Sequence, residues 1–319
     1  MKLSVVIPCL NEEAFIGECI RSVQNALGTN SEVEIVVVDA GSSDQTTVIA
    51  ESFGVHVVNH PRSTIAAQRN AGVRVSSGEV IAFLDADCTV AEGWVQNGLE
   101  LFRNPEVLGG GCPPSVPSQD TTWVQRGWSF LKRKRRPGRM SVRWIPSANV
   151  WVRRWVFEQI GGFNEHLETC EDVDLGFKVS DLGPMISDPS LCVYHHREPR
   201  TLLEFFRKEL WHGKNSFSGI SSGRWTWSEL PSLIAPIYFL LGLGWIIISG
   251  VLLACDQATL SDLVLAIVFF LALPFAYTLR AVATKGNVHQ FFQYILIYIV
   301  YFSARSVSMI SSVIASIRE

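Results

Sequence analysis

Two kinds of hydrophobic patterning share this chain, and one gives way to the other near residue 225. Before that point apolar stretches are short and broken by turn residues. After it, Leu233–Cys255 runs 23 residues without a charge. At 1.5 Å rise per residue that is roughly 34 Å of helix, enough to cross a hydrocarbon core. A second uncharged run, Leu263–Leu279, contains Pro274, which a membrane helix tolerates. A third segment, 288–304, holds the uncharged stretch Phe291–Ala304 and is closed by Arg305. The alternative is a very apolar soluble helical domain, but three such runs would saturate a small core. The pattern predicts a globular domain over 1–225 and a membrane domain over 226–319 with two to three hydrophobic segments, 233–255, 263–279 and 288–304.

Within the first domain, Lys2–Ile7 and Glu34–Val38 are short, β-branched and apolar without alternation, the pattern of strands buried on both faces. Glu12–Ala26 lies between them, with apolar residues at 16, 19, 20 and 23, a helical spacing. Helices over Gln45–Phe53 and Thr64–Val75 alternate with strands over Val55–Val58 and Val80–Leu84. This order predicts an α/β, doubly wound, mostly parallel sheet. Ligands of such sheets sit beyond the carboxyl ends of the strands. That rule selects Pro8–Glu12, Asp39–Asp44 and Asp85–Asp87, all unusually polar.

Composition narrows the setting. Net charge is −3, so the chain as a whole is no polyanion binder, and nothing in it calls for nucleic acid. Seven cysteines stand singly with no CxxC pair, which matches neither a disulfide nor a zinc framework and favours a reducing compartment. The start, MKLSVVIPCLNEE, reaches Asn11 and two acids too early for a signal-peptide core, so the first domain is expected in the cytoplasm.

Three polar clusters carry candidate chemistry. Asp85-Ala-Asp87 follows a buried strand directly and puts two carboxylates on one loop. Mg²⁺ or Mn²⁺ wants few protein oxygens plus substrate phosphate oxygens; equally, the loop could cap a helix over Ala91–Phe102. Asp39-Ala-Gly-Ser-Ser-Asp44 allows a tight turn in which Asp44 caps the next helix. Glu171-Asp172 opens a helical pattern over Glu171–Leu182, where acids also serve the helix dipole. No GxxxxGK[ST] and no GxGxxG after the first strand appear, which disfavours a P-loop NTPase and a dinucleotide enzyme.

Taken in order, Ser4-Val-Val-Ile-Pro8-Cys-Leu-Asn11-Glu12, Val37-Val-Asp39-Ala-Gly-Ser-Ser-Asp44, Ala67-Gln-Arg69-Asn70-Ala-Gly72 and Phe83-Leu-Asp85-Ala-Asp87 strongly resemble glycosyltransferase family 2. The series continues through Ser147-Ala-Asn149, Arg153-Arg154, Gly161-Gly-Phe163-Asn-Glu165 and Glu171-Asp172-Val-Asp174-Leu. The resemblance covers roughly residues 3–215. It implies a GT-A fold, a nucleotide-diphosphate sugar donor, a divalent metal (Mn or Mg) and inversion at the anomeric carbon. Carried over by position, it implies donor binding by Pro8, Asn11, Glu12, Asp39, Arg69 and Asp85. Asp39 would read the base, Arg69 would approach the ribose or diphosphate, and Asp85 would face the ribose. It implies metal ligation by Asp87 and His195, with His196 the weaker candidate, and catalysis by Asp172 as base with Glu171 beside it. Ala40 stands where the family often has a second acid. The implied chemistry is coherent: a divalent ion neutralises the departing diphosphate, and an acceptor hydroxyl needs a base.

Seven positive charges fall in the twelve residues Lys132–Arg143, with Trp123, Trp128, Trp144, Trp151 and Trp155 around them. Beside hydrophobic segments, this cluster predicts contact with anionic membrane lipid. Residues 200–215, with Arg207, Lys208 and His212 between Leu203, Phe205, Phe206, Leu210 and Trp211, predict an amphipathic interfacial helix. Arg207, Lys208, Lys214 and Arg224 precede the first hydrophobic segment, and Asp256 and Asp262 follow it. Arg280 and Lys285 follow the second. This asymmetry places the first domain on the cytoplasmic side. Arg305 at mid-membrane would cost about 3 kcal/mol, so a third span competes with an interfacial segment. The sequence therefore predicts a multi-pass membrane glycosyltransferase acting on a lipid-linked or membrane-proximal acceptor. A polyprenyl-phosphate sugar synthase is the enzymatic alternative, and a nucleotide-sugar-binding scaffold the non-enzymatic one.

Overall fold

The computed structural model describes residues 1–28, 32–61, 63–117, 121–132, 138–167, 169–213, 230–285 and 288–318. The chain forms two compact units. One is Met1–Gln119 with Arg136–Glu198; the other is Asp120–Arg135 with Pro199–Glu319.

The first unit contains β1 (Leu3–Cys9), α1 (Ile16–Asn25), β2 (Val33–Asp39), α2 (Thr46–Ser52), β3 (His56–Asn59), α3 (Ile65–Val75), β4 (Val80–Leu84), β5 (Cys88–Val90), α4 (Trp94–Leu101) and β6 (Gly109–Gly111). The chain then contributes α5 (Trp123–Lys132) to the second unit. It returns for β7 (Met140–Ser141), β8 (Asn149–Arg153), α6 (Arg154–Gln159), α7 (Glu171–Leu182), β9 (Met185–Ser187) and β10 (Val193–His195). Eight strands form one sheet in the order β3-β2-β1-β4-β8-β6-β9-β7. β1 to β4 are parallel, β8 runs against β4 and β6, and β7 runs against β9.

Every residue of β1 and β4 is buried because both sheet faces are covered. Leu3, Val5 and Ile7 meet Ile16, Cys19, Ile20 and Val23 on one face, and Val6, Val36 and Val38 meet Ala66, Ala71 and Val73 on the other. The alternation is thus between two apolar layers, which is why no polar period shows in the sequence. Ser4 is tolerated inside this layer because it is satisfied. Its hydroxyl donates to Glu34 Oε1 at 2.6 Å and accepts from the Gly78 N–H at 2.7 Å.

On the β8 side, Trp151 is fully buried and its indole lies against Gly98 of α4, where an added Cβ would come within 2.2 Å of the ring. Asn149 is also fully buried. It accepts from Trp94 Nε1 at 3.1 Å and donates to the carbonyls of Cys112 (2.9 Å) and Leu191 (2.6 Å). Arg153 and Arg154 cap carbonyls: Arg153 reaches Phe102, Asn104 and Val107, and Arg154 reaches Val73 and Gly78. The motif residues Asn149, Arg153 and Arg154 therefore stitch elements together.

The second unit contains α5, α8 (Leu202–Gly213), α9 (Leu230–Ala254), α10 (Leu260–Lys285) and α11 (Phe291–Arg318). Among the described residues, three segments are long and apolar enough to cross a membrane: Ile234–Ala254, Leu260–Lys285 and Phe291–Ser311. Pro236 and Pro274 lie inside their helices. The unit also takes in α5 and α8, upstream of the change in hydrophobicity, because Val124, Phe205 and Ile297 share one apolar core. Arg305 is answered from the sequence's amphipathic segment: Glu209 of α8 pairs with it at 2.9 Å.

Of the basic cluster, residues 133–137 lie outside the described residues. Arg139 pairs with Asp188 at 2.6 Å and Arg143 with Asp181 at 2.7 Å. Trp151 belongs to the core of the first unit and Trp128 packs on Phe205 and Tyr301.

Candidate active site

The carboxyl ends of β1, β2 and β4 deliver the first three polar loops. Asn11 adopts φ 55°, a left-handed conformation that asparagine accepts more readily than most residues. Its N–H donates to Ser42 Oγ at 2.8 Å, and its Oδ1 accepts from the Ser43 N–H at 2.9 Å, so the first loop is sewn to the second. Pro8 is buried within β1. Asp39, only 2% exposed, accepts from the N–H groups of Gly41 and Ser42, both at 2.9 Å, and from the Ser42 hydroxyl. Its carboxylate thereby holds its own turn.

Arg69 organises the centre. It projects from α3, is 1% exposed, and divides its guanidinium between two acids. Nη2 lies 2.7 Å from Asp85 Oδ1 and Nη1 lies 2.8 Å from Glu171 Oε1. Phe163 lies against its guanidinium at 5.3 Å. Phe163 is positioned by the Gly161-Gly162 turn, at φ 77° and 71°, and Asn70 clamps it with a donation and an acceptance at its backbone. Burying this cation without two acids would be prohibitive. Arg69 thus couples the loop after β4 to the start of α7, which the sequence separates by more than eighty residues.

At that helix start, Ser147 Oγ donates to Glu171 at 3.3 Å. Asp172 beside it is half-buried. Burial, and then the charge of Glu171, push its carboxyl up to about 6, while Arg69 and the N–H groups of Val173 and Ser147 pull the other way. Three acids, Glu171, Asp172 and Asp174, occupy the first turn, where the helix dipole favours them.

Asp87 meets a different partner. β5 pairs antiparallel with β10, and the register sets His195 opposite Cys88. His195 Nε2 lies 3.5 Å from Asp87 Oδ2. Ligand atoms of Asp87, Cys88 and His195 fall within 4.8 Å of one another. Two ligands bound to one ion at about 2.1 Å stand about 3.0–4.2 Å apart, so carboxylate and imidazole fit a divalent cation, and this donor pair suits Mn²⁺. His195 Nδ1 is buried without a hydrogen-bond partner, consistent with a ring placed for its other nitrogen. His196 is turned elsewhere: its Nε2 is 2.8 Å from Thr89 Oγ1 and its ring faces Phe15.

Glu12 completes the cluster. Burial, with Asp87, Asp85 and Asp44 nearby, raises its carboxyl to about 7 against the opposing pull of Arg197, whose Nη1 is 2.8 Å away. Arg197 also covers Phe15 at 5.2 Å. Sequence reasoning missed Arg197, Ser147 and Cys88. Arg197 had a visible signal, a cation two places after His195 at the end of a strand. Ser147 had one too, as the first residue of the Ser147-Ala-Asn149 motif, whereas Cys88 had no signal beyond its neighbours.

The family model described as Glycosyl transferase family 2 matches residues 4–161. Residues 4–161 form a glycosyltransferase family 2 domain. Among curated relatives, glycosyltransferase AglE of Haloferax volcanii is 30% identical over 189 residues, 57% of this chain and 62% of that one. The pre-mycofactocin glycosyltransferase of Mycobacterium tuberculosis is 26% identical over 224 residues, 66% of this chain and 46% of that one. The match thus spans between about half and three fifths of the length of these two relatives. The mannosyltransferase PcManGT from Pyrobaculum calidifontis, solved with GDP-Man and Mn²⁺, superposes with TM-score 0.63 at 18% identity, covering 98% of this chain and 87% of that one. GalNAc-T7, solved with UDP, GalNAc and Mn²⁺, superposes with TM-score 0.53 at 18% identity, covering 62% and 43%. At these identities the likeness establishes the GT-A fold.

Proposed function

We propose that this chain is an inverting, metal-dependent glycosyltransferase. It moves a sugar from a nucleotide diphosphate onto a lipid-linked or membrane-proximal acceptor at the cytoplasmic face of a membrane. The observation that carries this reading is the Arg69 bridge. One buried guanidinium fixes the Asp85–Asp87 loop and the Glu171–Asp172 helix start in a single frame, as a reaction needing both a diphosphate site and a base requires.

In this reading Asp172 takes the proton of the acceptor hydroxyl as that oxygen attacks the anomeric carbon. A carboxyl raised to about 6 is ionised at neutral pH yet more basic than an ordinary aspartate. Glu171, held by Arg69 and Ser147, is the residue that positions it. Asp87 and His195 would hold the divalent ion, which would supply positive charge to the leaving diphosphate. Glu12 and Arg197 flank the nucleoside side, with Asn11, Asp39 and Pro8 shaping the loops. The ligands of the mannosyltransferase and of GalNAc-T7, nucleotide or nucleotide sugar with Mn²⁺, support this assignment. The apolar helices support a membrane setting, and Arg280 and Lys285, set against Asp256 and Asp262, support a cytoplasmic first unit.

Calorimetry tests the metal assignment. GDP-mannose and UDP-sugars are titrated into wild type and Asp87→Ala, with Mn²⁺ and with excess EDTA. One donor should bind wild type at least tenfold more tightly with Mn²⁺, and the variant should lose that gain. Equal affinity in all four conditions contradicts the assignment.

A further inference from the structure

Helix α11 is long and apolar enough to cross a membrane, yet α5 and α8 cover one of its faces over about half of its length. Tyr294 stacks on Phe130 at 4.9 Å, and Ile297 closes on Gly127. Tyr301 lies 5.3 Å from Trp128, Arg305 pairs with Glu209, and Ser308 abuts Gly213. From Tyr294 to Ser308 is about 21 Å along a helix. The covering helices are not built for hydrocarbon. Arg126, Lys132, Glu204 and Arg207 are exposed on them, and Lys208 and His212 partly so. Were α11 to enter the bilayer upright at Phe291, Ser308 would lie about 25 Å deep. It would carry α8 and its charged side chains with it, to a depth where ionised groups are costly.

The exposed side chains separate α11 from its neighbours independently. Its exposed large apolar residues among those described are Phe292, Leu296, Val307 and Ile310. At 100° per residue they fall within an arc of about 60°, the narrow stripe of an interfacial helix. The exposed apolar residues of α9 take in Ile234 and Leu243, on opposite sides, with Ile237, Leu241, Ile247 and Val251 between. Together they cover an arc of about 200°, against about 60° for α11, the broad outer face of a helix packed on one side and open to lipid on the other.

We infer that α11 does not cross the bilayer. It lies in the plane of the membrane interface, with its Phe292–Ile310 stripe on the acyl chains and its Arg305 face under α8, and α9 and α10 alone cross, as a hairpin. Residues beyond α11 then share the side of the first unit.

This inference rests on the membrane reading above, and the test separates the two. Inside-out vesicles carrying the full chain are divided: one portion is extracted with carbonate, and the other, kept sealed, is treated with protease. Release of the chain by carbonate overturns the membrane reading itself. With the chain retained, an epitope appended after Glu319 should be digested together with the first unit. An epitope inserted after Gln257 should survive until detergent is added. Native Cys255, exposed at that turn, gives the same readout without an insertion, since an impermeant maleimide should reach it only from the opposite side. Protection of the Glu319 epitope alongside Cys255 overturns the inference. Phe292→Cys and Ile310→Cys, each labelled with bimane, should be quenched alike by shallow brominated lipid. Quenching of one by shallow and the other by deep label overturns it as well.

Discussion

Replacing Arg69 by glutamine removes the guanidinium that joins the two acidic parts of the site. The wild-type guanidinium is 1% exposed, Glu171 is 10% exposed and Asp85 is 26% exposed. Breaking a fully buried pair costs about 3–5 kcal/mol, because the partner charge is stranded. The Asp85 half is partly solvated and counts for less, so about 3 kcal/mol is expected in all. For a unit of this size, that corresponds to a fall in melting temperature of about 6–12 °C. Arg69→Lys keeps the charge but offers a point donor, which reaches one acid and not both, and should fall between. The same change acts on Asp172. Arg69 lowers the pKa of that carboxyl while burial and Glu171 raise it. Without the guanidinium it moves further above 6, and the acid limb of kcat moves to higher pH. Thermal melting in detergent and the pH profile of donor turnover are the two assays. A variant melting within about 2 °C of wild type with an unmoved acid limb would refute the argument that Arg69 is the keystone.

The two adjacent histidines should behave differently. His195→Ala should weaken Mn²⁺ binding at least tenfold, measured by electron paramagnetic resonance. His196→Ala, whose ring is engaged by Thr89, should leave it within threefold. Gly98→Ala drives a Cβ toward the Trp151 indole, with an approach of 2.2 Å if nothing shifts. Overpacking of this kind costs about 1–3 kcal/mol, and denaturant unfolding of the first unit should show it without any change in Mn²⁺ affinity.

The alternating strands and helices of the first unit were legible because its strands are buried on both faces and so read as continuous apolar runs. Val80–Leu84 coincides with β4, and Thr64 is the N-cap of α3. β6 was not legible. It is Gly109-Gly110-Gly111, with no side chain to signal a strand, and it is held in place by its partners β8 and β9. The extent of the second unit was hidden for a related reason. α5 and α8 are ordinary amphipathic segments locally, and only their packing on α11 assigns them. The acidic loops picked out by the strand-end rule do follow β1, β2 and β4 in the structure. What each carboxylate does depends on distant partners: Asp85 and Glu171 on Arg69, Glu12 on Arg197, Glu209 on Arg305. No local pattern encodes such pairings, because each joins elements that meet only after the chain folds.

The most direct test of the account is the transfer reaction with Asp172 replaced by asparagine. Membranes carrying wild type or Asp172→Asn supply the acceptor, Mn²⁺ is present, and release of nucleoside diphosphate is followed with GDP-mannose and a panel of UDP-sugars. Wild type should turn over one donor, with kcat falling as pH drops through about 6, where Asp172 takes up its proton. The variant should bind that donor within about twofold of wild type. Its turnover should be lower by about 10²–10⁴, the usual contribution of a positioned base. Turnover of the variant within threefold of wild type, at unchanged donor affinity, would contradict the assignment of Asp172 and with it the proposed mechanism.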